Sequence, residues 1–545
     1  MVNEFDRLAV FVCDSDGSSA EKHLSKLKDS ELVGLKNVLG QNLLFIAVGA
    51  DKVKIIEYLL RRGLFLTDTD DYGRTLLHWA VKFSSFSCIK FLLSNDPKTK
   101  ILAPDKSKVT SLHLAAEHKS AKVFRILLSH LPADTNLHEV VDCHKRSILH
   151  YAAQNGSFEV CQIIVSEEMM PIDPRDELNQ TPLMYAASSN FATNVFKILS
   201  YKKQSSIGHH NKVGLTAFHL AVIANNLVAI EFLCDDLSYK NHLPTFCDSK
   251  KRNLLHHAAA MGRTEAAKML IHYGAKNDSC DKYGATPAHY AAQTCKETLE
   301  AIMDCTNSGD VTDHKGRSCF MWAVLAENES IVRWMLDNKS LSIDRRAKDI
   351  YYCTALHLAA QIGSLNICKL LIKQGWSLTD RDINEATPSH LAAGAGHTEL
   401  IRYFQTALAD KNEVDAADRT PLFYACAAGQ TSTVQIMICD LKFPITVVDR
   451  HGQTPLHYAA YSGIAACLRV LLQRPECNVN AIDENGKTAL HIAGQRGKID
   501  IIKLLVEAGA DPNLSSMKSE TPLTIAMAEG NTKIIDALTV SNENL

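Results

Sequence analysis

The stretch Thr454-Pro455-Leu456-His457-Tyr458-Ala459 decides the fold. A Thr hydroxyl caps a helix N-terminus, and Pro suits the first helical position, where an N–H has no intrahelical partner. The pattern returns as Thr286-Pro287-Ala288-His289-Tyr290-Ala291. Looser copies are Thr75-Leu76-Leu77-His78, Thr354-Ala355-Leu356-His357 and Thr488-Ala489-Leu490-His491. With the His position as marker, the sequence gives 45, 78, 113, 150, 184, 219, 256, 289, 321, 357, 390, 423, 457, 491 and 524. Phe, Met or Thr takes the marker at 45, 184, 321, 423 and 524, and the intervals run from 32 to 37 residues. A period that never breaks register means one short unit stacked on copies of itself.

One such unit is legible from Asp483 to Asn513. Asp483-Glu484-Asn485-Gly486 is turn chemistry. Thr488 caps a short inner helix that Gly497 stops. A second helix follows, with Ile501, Ile502 and Leu505 on one stripe, and Gly509 ends it. A lone unit cannot bury its apolar face, so neighbours must stack.

These residues resemble the ankyrin repeat over nearly the whole chain. The resemblance implies an all-α ankyrin-repeat solenoid of helix-turn-helix units with β-turn fingers, about fifteen repeats plus an N-terminal cap. Residues 1–40 are expected to form a capping half-repeat, with helices at Leu8–Val12 and Ser19–Leu27. Residues 41–540 would be a continuous array and 541–545 a short tail.

A narrower resemblance rests on Gly284 to Gln293 and on Gly316-Arg317-Ser318-Cys319-Phe320-Met321-Trp322-Ala323, with the run from Met335-Leu336 through Lys348-Asp349 to His357. There the chain is similar to the ankyrin region of the inversin family of the nephrocystin group. That implies a scaffold of the proximal cilium, in the cytoplasm, whose partners would be other nephrocystins, a NIMA-related kinase and an ankyrin–SAM protein. The sequence holds no IQ motif of the kind that binds calmodulin, so calmodulin is not carried over.

Composition narrows the rest. Apolar residues are 46% and charged residues 22%, which excludes disordered, collagen-like and coiled-coil chains. The net charge of −3 gives no bulk attraction to nucleic acid or anionic lipid. The 16 cysteines form no CxxC, which removes zinc-ribbon and thioredoxin-like sites, and they read as reduced thiols. No signal peptide is recognised at the start. No apolar run reaches 18 residues, so no membrane insertion is expected. No phosphate loop, GxSxG or HExxH occurs, and no catalytic, metal or cofactor site is expected.

The marker histidines read as structural, each ring bonding the Thr hydroxyl and nearby backbone. The aromatic after the marker (Trp79, Tyr151, Tyr185, Tyr290, Trp322, Tyr424, Tyr458) reads as packing between repeats. The turn tips are better functional candidates. His144, Arg146, Lys250, Arg252, Lys282, His314 and Arg317 make a basic stripe, beside Lys106, Lys108 and Lys212. Free inner-helix positions add Lys82, Phe83, Met261 and Ile362, and Tyr72, Tyr283 and Tyr351 stand at fingertips. Apolar anchors in a polar rim suit a concave protein-binding surface. The expected function is a non-catalytic interaction scaffold. The alternative is a soluble adaptor or regulatory subunit that binds one acidic partner through its basic fingers.

Overall fold

The computed structural model describes residues 4–14, 18–95, 101–118, 121–132, 135–189, 193–201, 208–235, 246–303, 311–338, 341, 343–407, 410–528, 535 and 538. The tail expected at 541–545 lies outside the described residues. Two compact units divide the chain at Met1–Lys282 and Tyr283–Leu545.

The chain forms an all-α repeat solenoid. Every marker residue, from Phe45 to Thr524, is the third residue of an inner helix. In the first unit the inner helices include Leu76–Lys82, Ile148–Asn155 and Leu254–Ala260. In the second they include Pro287–Thr294, Ala355–Ile362 and Pro455–Ser462. Helices of 7 or 8 residues are too short to persist alone in water. Three things hold them: the cap, the partner outer helix and the next repeat.

The cap is a box in which the marker His takes the place usual for Glu or Gln. At Thr75 the side-chain oxygen lies 2.8 Å from His78 Nδ1, and the Thr75 N–H donates to the same nitrogen at 3.1 Å. The C-terminus often closes through a left-handed residue. Gly363, at φ +85°, is one, and a Cβ there would overlap the His397 ring of the next repeat. Outer helices supply the buried stripe: Ile501, Ile502 and Leu505 of Ile499–Glu507 are fully buried, as are Ile56 and Leu59 of Val53–Arg61. Burying each such side chain contributes about 1.5–3 kcal/mol.

The N-terminal segment carries three helices: Glu4–Asp14, Ser18–Leu24 and Asp29–Gly34. The first two fall where the sequence suggests helices. The third, built on Asp-Ser-Glu, was not foreseen. Arg62, at the end of an outer helix, clamps this segment. Its guanidinium donates to Leu27 O at 2.6 Å and Leu24 O at 3.3 Å, and pairs with Asp29.

Candidate functional site

Most fingers are built on one carboxylate, with Asn211 and Ser516, for example, in its place elsewhere. In the first unit Asp142 Oδ1 accepts the N–H of His144 at 2.9 Å and of Arg146 at 2.8 Å. Asp248 holds Lys250 at 2.8 Å and Arg252 at 2.9 Å in the same way. In the second unit Asp313 holds Lys315 and Arg317, at 2.8 and 2.9 Å. Closing a turn on an Asp side chain fixes it without help from the core. Most tips then donate one N–H to the finger before them, and at Ser249 the hydroxyl does so instead, to Val213 O at 3.0 Å. Lys282 N–H reaches Lys250 O at 2.8 Å, and His314 N–H reaches Tyr283 O at 2.8 Å. Fingertip side chains therefore leave from a row of fixed backbone.

The second oxygen of the Asp organises a repeated triad. Asp142 Oδ2 accepts from Arg146 Nε at 2.7 Å and from the Tyr151 hydroxyl at 2.9 Å, while the Arg146 guanidinium lies 4.8 Å from the Tyr151 ring centroid. Asp313–Arg317–Trp322 repeats this with an indole N–H at 3.0 Å, and Asp415–Arg419–Tyr424 with a hydroxyl at 2.9 Å. In Asp248–Arg252–His257 a buried His fills the aromatic slot, its Nε2 at 3.2 Å from the carboxylate. Burial opposes the charge on Asp142, but the Arg146 backbone and side-chain hydrogen bonds and the Tyr151 hydroxyl hold its carboxyl below the usual range. Asp248, Asp313 and Asp415 behave alike.

This changes the reading of the basic stripe. Arg146, Arg252 and Arg317 are half-buried ion-pair partners of their own fingers. Their charge is committed, and as fingertip cations they are not free. The slot after the marker is also more than packing, because Tyr151, Trp322, Tyr424 and Tyr458 donate to finger carboxylates. The spacing Asp, Arg at +4 and aromatic at +9 was present in the sequence and is the signal that would have revealed the triad.

Lysines keep the exposed charge. Lys82, Lys250 and Lys282 are exposed and carry no ion pair among the described residues. His144 is exposed 3.3 Å from Glu177, and His314 is exposed at its tip. Tyr72, Phe83, Met261, Tyr283 and Tyr351 are exposed, and Ile362 is half-buried.

Tyr72, Lys82 and Phe83 are brought together by Arg74, which the sequence reading did not include, and by the Trp79 ring, which it took for packing between repeats. The Arg74 guanidinium lies 4.9 Å from the Tyr72 centroid and 5.2 Å from that of Trp79. Trp79 stacks on Phe83 at 5.2 Å, and Lys82 Nζ lies 5.4 Å from its centroid.

That ladder borders a groove of about 450 Å³ whose walls include Trp79, Lys82, Glu117, Tyr151 and Gln154. Burial against the wall pushes the Glu117 carboxyl above its ordinary range. In the second unit a groove of about 720 Å³ lies between Tyr458, Tyr461, Asn485, Gln495 and Arg496, with the Arg496 guanidinium 3.8 Å from the Tyr461 centroid.

The marker histidines are bonded through both nitrogens in most repeats. His390 Nδ1 accepts from Thr387 N–H at 3.1 Å, and Nε2–H donates to Arg419 O of the next finger at 2.8 Å. Each such ring pins a helix to its neighbour's finger. Among the described residues no three His, Cys, Asp or Glu side chains form a metal-binding group.

A family model described as ankyrin repeats (3 copies) matches residues 12–105, 112–208, 183–279, 340–415, 389–483 and 467–544. The chain belongs to the ankyrin-repeat family. Among ankyrin proteins it is similar to inversin from Mus musculus, at 31% identity over 357 residues, 64% of this chain and 32% of that protein. Inversin from Homo sapiens is 30% identical over 355 residues, 63% of this chain and 32% of its own length. The human transient receptor potential cation channel subfamily A member 1 is 24% identical over 350 residues, 62% of this chain and 27% of that protein. The chain thus spans about a third of the length of the inversins it matches. No helix of the described residues is long and apolar enough to cross a membrane.

Proposed function

We propose that the chain is a non-catalytic protein-interaction scaffold of the inversin type, which gathers other proteins in the proximal cilium. The observation that carries this reading is the 31% identity to inversin over 357 residues of repeats. The fingers support it chemically. Asp-closed turns, several of them with Asp–Arg–aromatic triads, fix the finger backbone, so exposed tip side chains such as Tyr72, Lys250 and Tyr351 bind without first being ordered, beside Lys82, Phe83 and Met261 at the inner-helix ends. Two grooves, one in each unit, allow two partners to be held at once, which raises their effective concentration for each other.

The test is to express the tagged full chain in ciliated cells and image it. Concentration at the base of the cilium supports the reading, and an even cytosolic signal contradicts it. A second reading is favoured by one observation. The exposed cations Lys250, Lys251 and Lys282, without an ion pair among the described residues, sit on consecutive fingers. An adaptor that binds one acidic partner would use them, and its complex would weaken steeply with salt.

A further inference from the structure

Resting on the scaffold reading, we propose that the fingers Asp349–Cys353 and Asp382–Ala386 form a docking site for an extended acidic segment of another protein, one that carries two large apolar side chains.

Four apolar side chains crowd two adjacent tips. Ile350, Tyr351, Tyr352 and Ile383 are 51%, 50%, 56% and 57% exposed. The fold does not require them. Other tips of the same unit read His314-Lys315-Gly316, Ala416-Ala417-Asp418, Arg450-His451-Gly452 and Glu484-Asn485-Gly486. The backbone beneath the four is fixed. Ile350 N–H donates to Lys315 O at 2.9 Å, Ile383 N–H to Tyr351 O at 2.8 Å, and Asp349 Oδ1 holds Tyr351 and Cys353 N–H, both at 2.9 Å.

Tyr352 is held at φ +61°, in the position that Gly316, Gly452 and Gly486 occupy in their fingers; Glu385 and Asp418 are left-handed at the same position, but neither is an aromatic ring. A bulky ring in the left-handed region costs energy that glycine would not. Within the fold the ring meets the Lys348 ammonium, 5.8 Å from its centroid. A strained, exposed aromatic in place of an easy glycine points to a use outside the fold.

Charge selects the occupant. Lys315 is exposed on the preceding finger with no ion pair among the described residues, and Lys348 stands beside Tyr352. The nearby carboxylates Asp313, Asp349 and Asp382 are occupied by backbone N–H groups of their own turns, and the exposed Glu385 lies 4.0 Å from the Arg381 guanidinium. An acidic side chain facing Lys315 therefore completes an apolar pair facing Tyr351 and Ile383. A two-fold contact of the patch with itself would set the same cations on both sides, which disfavours a second copy. Adjacent repeats lie roughly 10 Å apart, and an extended chain rises about 3.3 Å per residue. The segment then has about three residues from one apolar side chain to the next, and about three more to the acidic one.

The test is selection of random 12-residue peptides displayed on phage against the full chain, followed by fluorescence anisotropy with the enriched peptides. The expected result is enrichment of acidic sequences with two large apolar residues at that spacing. Their affinity should fall at least tenfold on Tyr351→Ala with Ile383→Ala, and severalfold on Lys315→Glu. Tyr352→Gly should weaken the peptide while raising the melting temperature, an outcome that a merely structural ring would not give. Enriched peptides that bind the double variant as well as the parent overturn the patch and leave the scaffold reading intact. No enrichment, or a concentration-dependent dimer by light scattering that the double variant abolishes, also overturns it.

Discussion

Replacing Arg317 by Met separates two roles that the sequence alone confuses. On its finger, Lys315 and Arg317 look equivalent. In the structure Arg317 is 22% exposed and bonds Asp313 Oδ2 through Nη2 at 2.9 Å, while the Asp side chain is 3% exposed. Arg317→Met removes the cation and leaves that carboxylate buried. The carboxylate still has the Lys315 and Arg317 N–H groups and the Trp322 indole N–H, at 2.8, 2.9 and 3.0 Å. Breaking a fully buried pair costs about 3–5 kcal/mol, and these three donors together with the solvent at Arg317 reduce that to about 2–3 kcal/mol. Lys315→Met, two residues away and exposed, should change stability by less than about 0.5 kcal/mol. A repeat array need not melt in two states, so the cost at one finger is read most directly by a local probe. Hydrogen exchange of peptides covering 311–338 should speed up roughly 30- to 150-fold in Arg317→Met and hardly at all in Lys315→Met. Equal exchange in the two variants would refute the triad as a structural device and return Arg317 to the set of free cations.

Acid should loosen the repeats through their histidines. Burial holds His113 and His390 at about 4 and His219 at about 3, below the ordinary value near 6.5. A lowered folded-state pKa means that the stability is complete above about pH 6.5 and is lost as pH falls towards 4, because the unfolded chain takes protons the folded one refuses. At pH 5.5 each of these residues should cost about 1.4 kcal/mol, visible as a falling melting midpoint by circular dichroism. Arg62→Ala should release the N-terminal segment. Faster exchange confined to residues 18–34, with the second unit unchanged, is the expected pattern. Phe83→Asp should leave melting unchanged, since the ring is exposed, yet weaken any partner bound beside Trp79 in a pull-down.

Much of the architecture was legible because each repeat states its own register. A Thr cap, a Pro at the first helical position and a His two residues later fix the helix start, and the structure places every marker at the same helical position. The role of the histidines was legible for the same reason, since a ring recurring every 32–37 residues cannot converge on one metal. The commitment of Arg146, Arg252 and Arg317 was missed. Their partner is the turn Asp four residues earlier, and reading turns as solvated charge overlooks a carboxylate buried beneath the tip. The strain at Tyr352 was also hidden, because a residue type does not reveal a positive φ. The helix Asp29–Gly34 escaped because it carries no repeat motif.

The central claim is that partners meet the fingers and the exposed ends of the inner helices, while the outer helices face solvent. Lysines report on both faces. Lys82, Lys250, Lys282 and Lys315 stand on the first, and Lys54, Lys90 and Lys373, on outer helices, stand on the second. The most direct measurement is lysine cross-linking with mass spectrometry on the tagged full chain in complexes drawn from ciliated cells. The account predicts inter-protein cross-links concentrated at Lys82, Lys250, Lys282 and Lys315. Cross-links concentrated at Lys54, Lys90 and Lys373 would contradict it.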